Sequence, residues 1–214
     1  MADNEQPNAA NASGVSAVRI PDDATIIIAV RNIVLFPGVV APITINRPKS
    51  IAAAQQALRE QRPILGICLG AQMLAHHLGS RVYKHPDGHA EVGYYPIRPT
   101  DIGRGVCDPW PERVYQWHRE GFDLPPGAEL LAEGDSFPVQ AFRYGGTAFA
   151  LQFHPDVTHA MMCRWTTRGH DRTLLPNAKP RVAHFADRAV YDPAGRAWLT
   201  AFLNHWLGRQ DNPV

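Results

Sequence analysis

The chain has 214 residues, of which 45% are hydrophobic and 19% charged, and its formal net charge is +1 with the histidines neutral. This composition is ordinary for a globular protein of one large domain, or of one domain with a small appendage. The near-zero charge gives no electrostatic case for a nucleic-acid or anionic-membrane partner.

The first 62 residues contain no recognisable catalytic motif. Residues 1–20 are rich in Ala, Asn and Ser, carry Asp3 and Glu5 near the start, and predict a disordered tail, not a secretory signal. Residues 25–45 are the most apolar region, but Arg31 and Pro37 interrupt them, so we expect no membrane span. The three cysteines are odd in number and favour free thiols, which together with the missing signal predicts a cytoplasmic protein.

Residues 21–61 predict a small unit of β-β-β-α order. The β-branched runs 25–30 and 32–36 predict two strands, and residues 39–45 predict a third after a Phe-Pro-Gly turn. The Ala-rich stretch 48–59 then predicts a helix.

Part of this unit resembles the start of the N-terminal domain of Lon-type ATP-dependent proteases. The resemblance lies in Val-Arg-Asn-Ile-Val-Leu-Phe-Pro-Gly at 30–38, Pro-Ile-Thr-Ile at 42–45 and Arg-Pro-Lys-Ser-Ile-Ala-Ala-Ala at 47–54. It implies a β-rich, Lon-like arm over residues 21–61. A Walker-type phosphate loop is missing from the sequence, so a Lon-like protease activity is excluded and a docking module remains.

From residue 62 the pattern changes to alternating strands and helices, which predicts an α/β fold. Predicted strands cover residues 63–68, 81–85, 91–98, 113–117, 139–144 and 147–153. Predicted helices cover residues 69–78, 158–167 and 192–207, the last with Leu199, Phe202, Leu203, Trp206 and Leu207 on one apolar face.

The sequence Gly66-Ile-Cys68-Leu-Gly70 has the G-x-nucleophile-x-G form at the end of a predicted strand and the start of a predicted helix. In such an elbow a tight turn exposes the nucleophile, and the helix N-terminus favours a thiolate. A small buried cysteine in a tight turn is the alternative for an isolated motif of this kind.

The motif is not isolated, because residues 66–75 closely resemble the nucleophile segment of class I glutamine amidotransferases. Gln-Phe-His-Pro-Asp-Val-Thr at 152–158 resembles the segment that ends in the family's catalytic His and acid. Residues 114–118 and 124–132 match a strand and loop of the branch that resembles GMP synthase amidotransferase domains. The resemblance implies a class I amidotransferase-like domain over residues 62–209, with a flavodoxin-like three-layer sandwich that lacks its first strands.

Residue chemistry and the resemblance together predict a Cys-His-acid site that hydrolyses glutamine to glutamate and ammonia. Cys68 would attack the carboxamide, His154 would take and return the proton, and Asp156 would orient the imidazole. The side chains of His154 and Asp156 would emerge on one face of an extended segment. The backbone N–H of Leu69 would face the oxyanion.

The resemblance also implies substrate-binding residues: Gln72 at the substrate amide, and Trp117 and His118 near its α-carboxylate. Free L-glutamine is the expected substrate, and an acceptor site or synthetase on another chain is the expected partner. No cofactor and no metal are expected; the His85 and His89 pair has H-x3-H spacing, but Pro86 and Gly88 lie between them.

Two departures from the family pattern qualify this expectation. The family has Glu at the position of Asp156, and it has a Gly-Gly-Pro-type loop before the elbow that supplies a second oxyanion N–H. That loop is missing before Cys68, so we expect glutaminase activity far below that of an intact member. A catalytically dead fusion acting as a protein-binding module, and a γ-glutamyl hydrolase-like or peptidase activity on the same triad, remain as alternatives.

Overall fold

The computed structural model describes residues 63–207, so the predicted tail (1–20) and Lon-like arm (21–61) lie outside the described part. The strands are β1 (Ile64–Ile67), β2 (Val82–Lys84), β3 (Glu91–Pro96), β4 (Arg98–Pro99), β5 (Arg113–His118), β6 (Glu120–Phe122), β7 (Ala128–Glu133), β8 (Val139–Tyr144) and β9 (Ala148–Leu151). The helices are α1 (Leu69–His77), α2 (Asp101–Val106), α3 (His159–Arg168) and α4 (Arg181–Trp206), with a 3-10 turn at His170–Leu174.

The central sheet has the strand order β1-β9-β8-β7-β4. Its β1–β9 pair is parallel, with Ile64 opposite Ala148 and Ile67 opposite Leu151, and the other pairs are antiparallel. Because β1 and β9 run in the same direction, the segments that follow them leave the sheet at the same edge. This geometry brings the two predicted catalytic segments together.

Helices cover both faces of this sheet. Along β9, Ala148 and Ala150 pack on the side of α1, whereas Phe149 and Leu151 pack with Trp198 and Phe202 of α4. This alternation is the period of two that a strand buried on both faces requires. The predicted α/β architecture of three layers is confirmed for the described residues.

A separate two-stranded ribbon of β3 and β5 lies against α3 and α4. Tyr94 of β3 and Tyr115 of β5 are opposite each other in the register and form an edge-to-face ring pair 5.2 Å apart. With Val157 and Met162 they make a third apolar cluster, which we call the aromatic cluster and which also includes Trp117, Trp165 and Tyr191. The ribbon places the β5 backbone beside the segment that follows β9.

The last helix is longer than the sequence predicted. α4 begins at Arg181, whereas residue 192 was the expected start. Pro193 lies inside the helix and not in its first turn. Proline removes one backbone hydrogen bond and is therefore typical of a helix start, which made the expected boundary wrong. Leu207 lies beyond the helix end and is 46% exposed, so it does not share the apolar face.

Between residues 63 and 207, none of the helices is both long and apolar enough to cross a membrane.

Candidate active site

Cys68 occupies the sharp turn between β1 and α1. Its backbone has φ 50° and ψ −105°, a region that residues other than glycine seldom adopt, and its N–H donates to Leu151 O at 2.8 Å. That hydrogen bond continues the β1–β9 ladder up to the nucleophile position. The strained turn with a half-buried thiol at a helix N-terminus is the elbow that the motif predicted.

The two glycines of the motif have different roles. A Cβ at Gly66 would lie 2.7 Å from Gly70 O, so only glycine lets the strand approach the first turn of α1 this closely. A Cβ at Gly70 would meet nothing within 4 Å. The turn therefore requires Gly66. Gly70 lies in the first turn of α1, and the space beside it is open.

His154 lies three residues after β9 and is 9% exposed. Its N–H donates to Tyr115 O at 2.8 Å, which anchors the segment to the ribbon. The imidazole packs edge-to-face on Trp165, with ring centroids 4.8 Å apart. The parallel β1–β9 pair, strand β5 and helix α3 thus fix the position of this ring.

The side chains of Cys68, His154 and Asp156 form a hydrogen-bonded chain. His154 Nδ1 lies 3.2 Å from Asp156 Oδ1, and His154 also hydrogen-bonds to the Cys68 side chain. Aspartate therefore reaches the imidazole directly despite being one methylene shorter than glutamate. Its second oxygen, Oδ2, is buried and has no hydrogen-bond partner among the described residues.

Opposing effects act on the pKa of His154. Burial lowers it, but the hydrogen bonds to Asp156 and Cys68 and the charges of both groups outweigh burial and raise the pKa to about 9. His154 is therefore protonated at neutral pH.

Leu69 and Gln72 belong to the first turns of α1. Leu69 is the first helical residue, so its backbone N–H is one of the four that an α-helix leaves without an intrahelical acceptor. Gln72 is 7% exposed, and its Nε2 donates to Glu120 O at 2.8 Å and to Gln152 Oε1 at 3.3 Å. Both residues therefore lie at the N-terminal end of the helix that directly follows Cys68.

Trp117 and His118 point to opposite sides of β5. The Trp117 ring belongs to the aromatic cluster, where it lies 5.7 Å from the Trp165 ring. His118 is 4% exposed, with Nδ1 2.9 Å from Glu120 O and Nε2 3.0 Å from Glu91 Oε2. Their direct contact with a substrate stays a prediction.

The other two cysteines lie apart from this site. Cys107 is buried, and burial together with the charge of Asp108 raises the pKa of its thiol. Cys163 is half-buried, with Sγ 3.8 Å from Nδ1 of exposed His159. Of the three cysteines, Cys68 is the one that interacts with the buried His154 ring.

The described residues contain no group of three or more His, Cys, Asp or Glu side chains that could hold a metal ion. His85 and His89 stack on each other with ring centroids 4.4 Å apart.

Sequence reasoning missed Glu91, Gln116, Gln140 and Trp165 near this site. The spacing of Gln116 and His118, two residues apart on a strand, places both side chains on one face and was the available signal. Glu91 could not be connected with them, because the register that puts it opposite His118 is known only from the structure.

Comparison with known families gives one match that covers most of the chain. The family described as glutamine amidotransferase class-I matches residues 8–164. This range includes the elbow, His154 and Asp156, and it also includes residues 21–61. The Lon-like character of those residues stays a prediction.

Among curated proteins, the glutamine-hydrolysing GMP synthase of Neisseria gonorrhoeae is 36% identical over 108 residues, covering 48% of this chain and 20% of the relative. One of the subunits of the glutamine-hydrolysing GMP synthase of Thermococcus kodakarensis is 38% identical over 105 residues, covering 45% of this chain and 52% of the relative. The aligned part therefore spans a fifth of the first relative and about half of the second.

Two solved structures share the fold. A glutamine amidotransferase from Thermotoga maritima has a TM-score of 0.62 and 30% identity, covering 74% of this chain and 68% of that one. A glutamine amidotransferase from Methylobacillus flagellatus has a TM-score of 0.69 and covers 79% of this chain and 74% of that one, at 22% identity. At that identity the second likeness concerns the fold alone.

Proposed function

Because the chain belongs to the class I glutamine amidotransferase family, we propose that it hydrolyses the side-chain amide of glutamine at Cys68 and releases glutamate and ammonia. The observation that carries this proposal is the hydrogen-bonded chain from Cys68 through His154 to Asp156, with the nucleophile on a strained elbow. This arrangement supplies a nucleophile, a general acid–base and an orienting carboxylate in one place.

The reaction proceeds through a thioester. Cys68 Sγ, having given its proton to His154, attacks the carboxamide carbon and forms a tetrahedral oxyanion. His154 returns the proton to the amide nitrogen as the C–N bond breaks, and ammonia leaves. Water then attacks the thioester with His154 as base, and glutamate departs while the thiol is restored. Asp156 accepts from His154 Nδ1 throughout, which leaves Nε2 for Cys68 and the substrate.

The oxyanion is stabilised at the N-terminus of α1. The N–H of Leu69 is the donor nearest in sequence to the nucleophile, and the helix dipole favours a negative charge there. The second donor of the family's glycine loop has no counterpart motif before Cys68 in the sequence. Loss of one such donor costs about 10²–10³ in rate, so we expect slow turnover by the isolated chain.

Substrate binding and product transfer complete the proposal. Gln72 lies one turn beyond Cys68 and contacts the glutamine side chain, while Trp117 and His118 belong to the wall near the α-carboxylate. The Thermococcus relative is one component of a larger synthase, and the acceptor of ammonia is accordingly a synthetase site on a separate chain.

The test is ammonia release from glutamine by the purified chain and by its Cys68→Ala variant. We expect slow hydrolysis that the variant loses, and labelling of Cys68 in preference to Cys107 and Cys163 by a glutamine-like diazo-ketone. Equal rates in both proteins, with labelling of another thiol, would reject the proposal and favour a binding module. Hydrolysis of γ-glutamyl peptides but not of glutamine would reassign the same triad to a different substrate.

A further inference from the structure

A closed ring of buried polar side chains lies between β3, β5 and β8. Its members are Glu91, Gln116, His118 and Gln140, and none is more than 4% exposed. His118 Nε2 lies 3.0 Å from Glu91 Oε2 and 3.1 Å from Gln116 Oε1. Gln116 Nε2 donates to Gln140 Oε1 at 2.6 Å, and Gln140 Nε2 donates to Glu91 Oε2 at 2.9 Å. We call this set the polar ring.

The polar ring is connected to the candidate active site through one carbonyl. Glu120 O accepts from His118 Nδ1 at 2.9 Å and from Gln72 Nε2 at 2.8 Å. Gln72 lies in the first turn after the nucleophile, where its N–H donates to Cys68 O at 3.0 Å. A continuous set of hydrogen bonds therefore runs from Glu91 to the helix that carries Cys68.

The chemistry of His118 explains why this connection needs a carboxylate. All three atoms that face its ring nitrogens are oxygens: the Glu120 carbonyl, the Gln116 amide oxygen and the Glu91 carboxylate. Each of these oxygens is a hydrogen-bond acceptor, and Glu91 supplies the carboxylate among them.

Burying a carboxylate beside an imidazole at this place is a weak source of stability, because desolvation offsets much of the attraction. A role in orientation accounts for the pair better. Buried polar networks in which every member has a partner fix side-chain directions that an apolar core would leave free.

Resting on the proposed function, we propose that Glu91 is a positioning residue for glutamine binding. Its carboxylate holds His118 at Nε2, His118 Nδ1 holds the Glu120 carbonyl, and that carbonyl fixes the direction of the Gln72 carboxamide beside Cys68. With Nε2 of Gln72 committed to the protein, Oε1 is held as the acceptor for the N–H groups of the substrate amide.

The experiment measures glutamine binding to the full chain in the Cys68→Ala background, by calorimetry, with and without Glu91→Gln. We expect Glu91→Gln to raise the Kd for glutamine about tenfold, or about 1.4 kcal/mol. The cooperative thermal transition should be kept. Glu91→Asp retains the charge and should recover part of the affinity. Glu129→Gln is the matched control, since Glu129 pairs with Arg143 at 2.7 Å on the exposed side of β7, and its Kd should not change.

The outcomes separate this inference from the proposed function. An unchanged Kd in Glu91→Gln, or the same loss in Glu129→Gln, would overturn the positioning role while Cys68-dependent hydrolysis by the unmodified chain still stands. A Kd that rises only together with loss of the cooperative transition, with no recovery in Glu91→Asp, would show a purely structural role and also overturn it. If glutamine does not bind Cys68→Ala at all, hydrolysis by the unmodified chain distinguishes the two proposals: its presence would overturn the positioning role alone, and its absence would overturn both.

Discussion

Two buried histidines contact Tyr115, one at its backbone carbonyl and the other at its hydroxyl, and their pKa values are shifted in opposite directions. The His154 N–H donates to the Tyr115 carbonyl, and His184 Nδ1 lies 3.0 Å from the Tyr115 hydroxyl. Burial acts on both rings and disfavours charge in each. The pKa of His154 is nevertheless raised to about 9, whereas that of His184 is lowered.

Their hydrogen-bond partners explain the difference. His154 faces the carboxylate of Asp156 and the thiol of Cys68, both of which favour the imidazolium. His184 Nε2 donates to Lys179 O at 3.0 Å, so Nδ1 is left to accept from the Tyr115 hydroxyl, and the neutral ring satisfies both contacts. The two histidines share an aromatic environment but differ in the direction of their pKa shifts. The groups that hydrogen-bond to the ring nitrogens account for this difference.

The largest expected effect comes from removing the charge beside His154. Asp156→Asn should lower kcat/KM for glutamine by roughly 10³ or more, because the imidazole loses both its orientation and its compensating charge. Histidine ring titration by NMR should show the pKa of His154 falling from about 9. His184→Gln is the control, because its ring contacts Tyr115 and Trp117 of the aromatic cluster, and it should keep kcat/KM within about tenfold, a change of ~1.4 kcal/mol. Equal losses in both variants would mean that the cluster, and not the charge, controls the site.

The next effect is on stability at alkaline pH. The folded-state pKa of His154, about 9, is above the unfolded value near 6.5. Its contribution is therefore fully present below about pH 6.5 and is lost as pH rises through about 9, because the folded state binds the additional proton. Urea unfolding should show the free energy of unfolding falling over this window. Asp156→Asn should flatten this part of the profile, and an unaltered slope would assign it to other groups.

The smallest expected effect concerns His184. Its folded-state pKa is below the unfolded value, so the neutral ring contributes stability above about pH 6.5 that is lost as pH falls below it. His184→Gln removes a hydrogen bond to a buried partner and should lower the free energy of unfolding at pH 7 by about 1–3 kcal/mol. The same variant should lose part of the acid-side slope. A profile that keeps its full acid slope without His184 would contradict the assignment.

The sequence predicted the local geometry around Cys68 and His154 better than it predicted the contacts of the core. A glycine-flanked cysteine after a strand, and a His-Pro-Asp segment, are local patterns whose geometry depends on a few neighbouring residues. His184 could not be recognised, because it lies in the part of α4 that precedes Pro193, and the proline suggested a later helix start. The Glu91–His118 contact was equally inaccessible, since it depends on strand register and not on spacing along the chain.

The parallel pairing of β1 with β9 also determines when the candidate site can form during synthesis. Ile64 and Ala148 are register partners, so the ribosome makes the turn at Cys68 long before β9 and the segment after it that contains His154. Pairing of such distant segments carries a large loop-closure entropy and is slow compared with local structure. A nascent chain that ends before residue 148 therefore presents the Cys68 thiol without His154, and the candidate site can form only after β9 and residues 154–156 have been added.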